Sequence, residues 1–271
     1  MRALIIRAEP PFDTERTKIM YDLQKASLWK RASAYLFDII LLGIVAVGIA
    51  LVLSTVLGYD AQINKMQKTY DSYAEQYGIN INISLEDYEK LSDEQKAAYE
   101  EADKALAKDA EFARTYSLII NMTLIIITFG VLIAYLLLEF LVPLLFKNGQ
   151  TLGKKAFGVA VMRVDGVKLS PLQLLIRTVL GKFTIETMFP IFLVMMIFIG
   201  SLGVVGTAVI VMLLILQVAV IALSKTNSAI HDLIAGTVTV DMASQMIFGS
   251  AEELMEHKKR VHAEKAERAE Y

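Results

Sequence analysis

Two carboxylates sit where the sequence is otherwise apolar. Asp38 lies inside WKRASAYLFDIILLGIVAVGIALVLSTVL, residues 29–57, and Glu139 lies inside the apolar run from Ser117 to Phe146. A charge at membrane depth costs about 2.5–3.5 kcal/mol by insertion scales, so an ionisable side chain there marks a functional site by default. Asp38 follows Arg31 by seven residues, two helical turns, which puts both on one helix face about 10 Å apart along the axis. Glu139 precedes Lys147 by eight residues. Antiparallel helices would bring the two carboxylates to a similar depth, about 10–12 Å in. Two desolvated carboxylates at one depth can hold a proton or a small cation in turn, the minimal chemistry of cation/proton antiport. The competing chemistry is structural, with Asp38 clamped by Arg31, by Arg177 or by a backbone amide.

Other chemistries find little support in the residues. The chain has no cysteine, which removes disulfides, thiolate metal sites and thiol nucleophiles together. His231, His257 and His262 are too few and too scattered for a metal cage, and the His231-Asp232 pair alone does not bind two metals. Gly149-x-x-x-Gly153-Lys154 is one residue short of a phosphate loop and lacks the following Ser or Thr. It reads instead as a tight turn that returns the chain to the membrane interface, with Lys154 and Lys155 toward anionic lipid. No nucleophile–base constellation occurs, so the expectation is a protein that is not an enzyme and needs no metal or cofactor. A net charge of −2 gives no argument for nucleic acid.

The elements that must position these residues follow from hydropathy. The chain of 271 residues is 55% hydrophobic, above the roughly 45–50% of soluble chains, and uncharged runs of spanning length recur. Residues 1–31 form a polar leader, with an amphipathic helix expected over Asp13–Lys30 and Trp29 beside Lys30 and Arg31 as an interfacial anchor. The first crossing is placed at 32–57 and the second at 117–146. Between them, 58–116 holds thirteen Asp or Glu against seven Lys or Arg. Ser84 and Ser92 begin capping-box patterns there, so this is a helical insert. The 147–182 loop has seven Lys or Arg and one Asp, which makes it cytoplasmic by the positive-inside rule, with the insert and its acidic excess on the far side.

Within that loop, Phe157 to Lys168 alternates around Asp165-Gly166 and predicts a small β-hairpin, which a strand at Thr237–Val240 would join. Ser170-Pro171 opens a helix expected to lie in the interface as far as Lys182. Residues 183–224 make two more crossings broken near Gly200, with Pro190 kinking the first and Glu186 snorkelling to the headgroups. Residues 225–271 form a cytoplasmic tail in which Asp232 caps a helix or pairs with a cation of the 147–182 loop.

Three segments together resemble the RDD family of membrane proteins. They are Trp29-x-Arg31-x-x-Ala34-x-x-x-Asp38, then Asn148-Gly149-Gln150-Thr151-Leu152-Gly153-Lys154-Lys155 with the following Gly158, Asp165-Gly166, Ser170 and Arg177, then His231-Asp232-Leu233-Ile234-Ala235-Gly236-Thr237. The resemblance covers 29–57 and 117–241. It implies that Arg31, Asp38 and Asp232 are the family's arginine and two aspartates. It also implies an integral membrane protein associated with transport, sodium/proton exchange being attributed to some members. The 58–116 insert departs from the family's shorter connection.

The expectation is therefore an all-α membrane protein of the plasma membrane, with four transmembrane helices, both termini cytoplasmic, a helical extracytoplasmic insert and a small cytoplasmic β-hairpin. Its leading function is secondary transport of protons and small monovalent cations through Asp38 and Glu139, tuned by Arg31, Arg177 and Asp232, in contact with membrane lipid and with a homodimer plausible. The rival is a membrane scaffold or assembly factor that recruits partners through the insert and the C-terminal helix.

Overall fold

The computed structural model describes residues 23–198 and 200–269. In chain order, helices α1 (Leu28–Leu57), α2 (Tyr59–Tyr77), α3 (Leu85–Glu89) and α4 (Asp93–Leu106) lead to α5 (Ala110–Phe146). There follow α6 (Leu152–Ala156), strand β1 (Val159–Arg163), α7 (Pro171–Ile197), α8 (Gly203–Leu223), α9 (Ile230–Ala235), strand β2 (Thr237–Asp241) and α10 (Ala251–Ala269). Helices α1, α5, α7 and α8 are long and apolar enough to cross a membrane. At about 1.5 Å per residue even the shortest, the 21-residue α8, matches a hydrocarbon core of about 30 Å. The chain is a helical membrane protein with a small two-stranded sheet. Of the expected leader helix, the part before Leu23 lies outside the described residues, and α1 begins at Leu28.

The chain divides into two compact units, one from Gly43 to Ala134 and one built from the segments before and after it. The Gly43–Ala134 unit has its own apolar core of Ile79, Ile81, Ala102 and Leu106, with Tyr70, Tyr73 and Phe112 packed on it. Its helix starts are written locally. Ser92 and Gln95 exchange the two bonds of a capping box, and Asp109 Oδ1 accepts the Glu111 and Phe112 amides to open α5. A Cβ on Gly130 would lie 3.4 Å from the Ala46 carbonyl oxygen and 3.5 Å from Ala50 Cβ, so small residues set the approach of α5 to α1.

In the other unit the sheet differs from the hairpin expected over Phe157–Lys168. Strand β1 pairs antiparallel with β2, in the register Val159↔Asp241 to Arg163↔Thr237. The Asp165-Gly166 turn does form, with the Arg163 amide on the Val167 carbonyl at 2.9 Å, but Val167 then bridges Phe248 instead of returning along β1. The physical reason is burial: Val159, Ala160, Val161 and Met162 are all inside, so β1 needs an apolar partner, which Val238 and Val240 provide.

The interface-lying helix expected over 172–182 is instead the opening of α7. Its cap is as read, Ser170 and Gln173 forming a capping box with Pro171 at the first turn. Two stretches wind more widely than an α-helix, Leu136–Leu141 in α5 and Ile176–Met188 in α7. There the Val142 amide reaches back to Leu137 and the Phe189 amide to Thr184, five residues each. Such π-type turns cluster at functional sites, and here they carry Glu139 in one helix and Arg177, Lys182 and Glu186 in the other.

Candidate functional site

Asp38 is held from α6. Its Oδ2 accepts the Thr151 hydroxyl at 2.5 Å, its Oδ1 accepts the Gly153 amide at 2.8 Å, and Lys154 Nζ lies 3.6 Å away. Thr151 also caps α6, so one short turn supplies every partner. Gly153 is required by this contact: a Cβ there would run into the Ala34 carbonyl oxygen and meet Asp38 Oδ1 at 2.8 Å. Of the clamps open to Asp38, the backbone amide is the one that forms. Arg31 does not pair with it, despite the shared helix face, because the loop competes better at short range.

Glu139 has a different partner. Its Oε1 lies 2.6 Å from Lys182 Nζ, both side chains being buried. The Thr178 hydroxyl donates to the Glu139 carbonyl at 2.9 Å, satisfying an acceptor in the widened turn. Glu139 Oε2 is buried and has no hydrogen-bond partner among the described residues.

The third pair is the most enclosed. Arg177 Nε donates to Asp232 Oδ1 at 2.9 Å with both residues 1% exposed. Thr237 and Thr239 donate to the same carboxylate at 2.7 and 3.3 Å. The two-residue period of β2 explains this arrangement: Thr237 and Thr239 face Asp232 while Val238 and Val240 face the apolar cluster. Burial alone would raise the Asp232 carboxyl, but Arg177 and the Thr237 bond hold it well below the ordinary carboxylate range. His231 Nδ1 lies 2.8 Å from Glu186 Oε2, and the His231 amide donates to Glu186 Oε1 at 3.0 Å. Burial pushes the imidazole below its usual value, outweighing the neighbouring carboxylates, so His231 is neutral at pH 7. Gly181 permits this approach, since a Cβ there would meet His231 Cβ at 2.6 Å.

Four cations, Arg31, Lys154, Arg177 and Lys182, thus stand among four carboxylates, Asp38, Glu139, Glu186 and Asp232, with His231 neutral. The balance lets the cluster exist in an apolar unit at all, because an unmatched buried charge costs several kcal/mol. The cluster borders a cavity of about 250 Å³ lined by Tyr35 and Asp38 of α1, Glu139 of α5, Lys182 and Glu186 of α7, and Gln217 of α8. All four spanning helices contribute to it.

Several sequence assignments change. Lys154, expected to face lipid, is 7% exposed because its ammonium turns inward to Thr151 and Asp38. Glu186, expected to snorkel, is drawn inside by His231. Asp38 and Glu139 line one cavity, each beside a cation of its own, Lys154 and Lys182. Asp232 pairs with Arg177. Lys155 stays outside with its ammonium 4.0 Å over the Phe146 ring, and Trp29 is exposed. Among the described residues no group of three or more His, Cys, Asp or Glu is placed to hold a metal ion. Sequence reasoning missed Lys182, Thr151 and Thr178 as partners. Lys182 had one available signal, its place four residues before Glu186 in an apolar stretch.

Residues 25–236 match the family model described as the RDD family. No curated protein and no solved structure matches the chain.

Proposed function

The chain belongs to the RDD family, and from that premise we propose that it is a secondary transporter of the plasma membrane that exchanges a monovalent cation for a proton in the cavity between its four spanning helices. The observation that carries the reading is Glu139. It lines the cavity, one oxygen is bound to Lys182, and the other is buried without a partner among the described residues. The Lys182 ammonium occupies the place that a small cation would take beside that carboxylate. A cation entering as Lys182 gives up its proton leaves the net charge of the cluster unchanged, which is the condition for coupling. Asp38, with both oxygens engaged by α6, positions the loop and adds negative potential to the cavity.

Orientation follows the positive-inside rule with a smaller count than the sequence suggested. Lys154, Arg177 and Lys182 are buried, so the exposed Lys147, Lys155 and Lys168 and the half-buried Arg163 carry the argument for a cytoplasmic 147–170 segment and cytoplasmic termini.

The test is proton flux into liposomes that hold the purified protein and an internal pH dye, with Na⁺, K⁺ or Li⁺ added outside. A cation-triggered pH change that Glu139→Gln abolishes supports exchange. Silence in the correctly inserted wild type overturns it. That silence would favour the second reading, a membrane scaffold, for which the separate apolar core of the insert speaks. Under that reading deletion of residues 60–113 abolishes function, whereas exchange should survive it.

A further inference from the structure

A second cavity, of about 420 Å³, has a different lining. Arg31, Lys154 and Arg177 line it and not the first cavity, and Asp232 is the one carboxylate of which the same is true. Asp232 is already held by Arg177, Thr237 and Thr239. Lys154 has an acceptor in Thr151 and lies beside Asp38. Arg31 is the exception: its Nη1 is shielded from solvent and has no hydrogen-bond partner among the described residues. A charged donor without an acceptor is the kind of buried group that calls for a ligand.

The opposite wall is apolar. Leu214 and Val218 of α8 line the cavity and are 59% and 67% exposed, so this wall runs outward onto the surface of a membrane helix. A matching ligand carries an anion at one end and hydrocarbon at the other. The planar guanidinium fork suits a phosphate, which it can grip through two parallel bonds. The excess of cations disfavours a headgroup that brings its own positive charge.

We propose that this cavity binds the headgroup phosphate of an anionic phospholipid, with Arg31 as the phosphate ligand and an acyl chain along Leu214 and Val218. The phosphate ligand Arg31 takes no part in the exchange chemistry, although Lys182 and Glu186 line both cavities, and the test reads binding rather than flux, so a silent transport assay leaves the proposal standing.

The purified full-length protein in detergent is titrated with phosphatidylglycerol or phosphatidylcholine, and retained lipid is counted by native mass spectrometry. Phosphatidylglycerol should bind at least about tenfold more tightly, because phosphatidylcholine brings a tethered cation into a cavity where Arg31, Lys154 and Arg177 stand together. Arg31→Gln should remove that preference, while Lys30→Gln, an exposed neighbour paired with Asp241, should keep it. Val218→Trp obstructs the apolar wall without touching a charge and should weaken retention too, which keeps the test decisive if Arg31→Gln fails to fold. Equal retention of the two lipids, or a preference that persists in Arg31→Gln, overturns the proposal. So does inorganic phosphate competing off phosphatidylglycerol while Val218→Trp has no effect, because the site would then be one for a free anion.

Discussion

The two cavities share Tyr35, Lys182, Glu186, Leu214 and Gln217, yet they offer opposite fields. On one side of that shared wall stand Asp38 and Glu139; on the other stand Arg31, Lys154 and Arg177 against Asp232 alone. A cluster neutral as a whole is therefore polar across its width. Neutrality makes the cluster tolerable in an apolar unit, and the segregation leaves each cavity with a preference of its own. The widened turns of α5 and α7 contribute to this, because they set charged residues of both helices along the shared wall.

The comparison breaks most completely at Arg177. Arg177→Met strands the Asp232 carboxylate inside the protein and should cost about 3–5 kcal/mol, read as a lower thermal midpoint in detergent. Arg177→Met combined with Asp232→Leu should recover most of that loss, since no unmatched charge remains. Lys90→Met, which removes an exposed pair with Glu86, should cost at most about 1 kcal/mol. Equal effects at Arg177 and Lys90 would mean that Arg177 is hydrated, and the cationic side of the comparison would lapse.

Next comes the loop that holds Asp38 on the anionic side. Gly153→Ala pushes a methyl against Ala34 and Asp38 and should destabilise by about 1–3 kcal/mol. Gly43→Ala, in the same helix as Asp38 but with open space around it, should be neutral within about 0.5 kcal/mol. Circular dichroism melts of the two variants side by side decide this. A neutral Gly153→Ala would show that α6 does not sit tightly on α1.

Much of this was legible in the residues, and the limits are instructive. The spanning helices were readable because a twenty-residue apolar run has few other physical meanings. The caps at Ser92 and Ser170 were readable because they are settled within four residues. Partners were not. Asp38 and Arg31 share a helix face, but Thr151 and Gly153 reach the carboxylate across more than a hundred residues of sequence, and periodicity says nothing about such contacts. The β1–β2 pairing was legible in part: the Asp165-Gly166 turn and a strand at Thr237–Val240 joining this region both formed, whereas the turn of the chain after Val167 toward Phe248 was not readable. Lys154 and Glu186 were placed outside by the habit of long charged side chains to reach water. They are inside because each found a partner there, Lys154 in Thr151 and Asp38, Glu186 in the ring and amide of His231.

Lys182 lies on the shared wall and so separates the two proposals. Lys182→Met should abolish cation-triggered proton flux, since it removes the proton carrier beside Glu139. It should lower the preference for phosphatidylglycerol by only about threefold, because Arg31 remains. A loss of lipid preference as complete as that of Arg31→Gln would merge the two cavities into one site.

The smallest effect concerns His231, and its sign is informative. Burial holds the folded imidazole below its ordinary pKa of about 6.5, so the native state resists a proton that the unfolded chain accepts. The contribution to stability is thus complete above pH 6.5 and is lost as pH falls below it, at up to about 1.4 kcal/mol per pH unit. Asp232, also lowered, is ionised in both states across this window and adds nothing to the slope. His231→Gln should flatten the decline between pH 6.5 and 5.5, measured as thermal midpoints at fixed ionic strength. If the wild type instead becomes more stable as pH falls through that range, His231 is protonated against Glu186. The cluster then holds five cations against four carboxylates, and the neutrality on which the contrast between the cavities rests is gone.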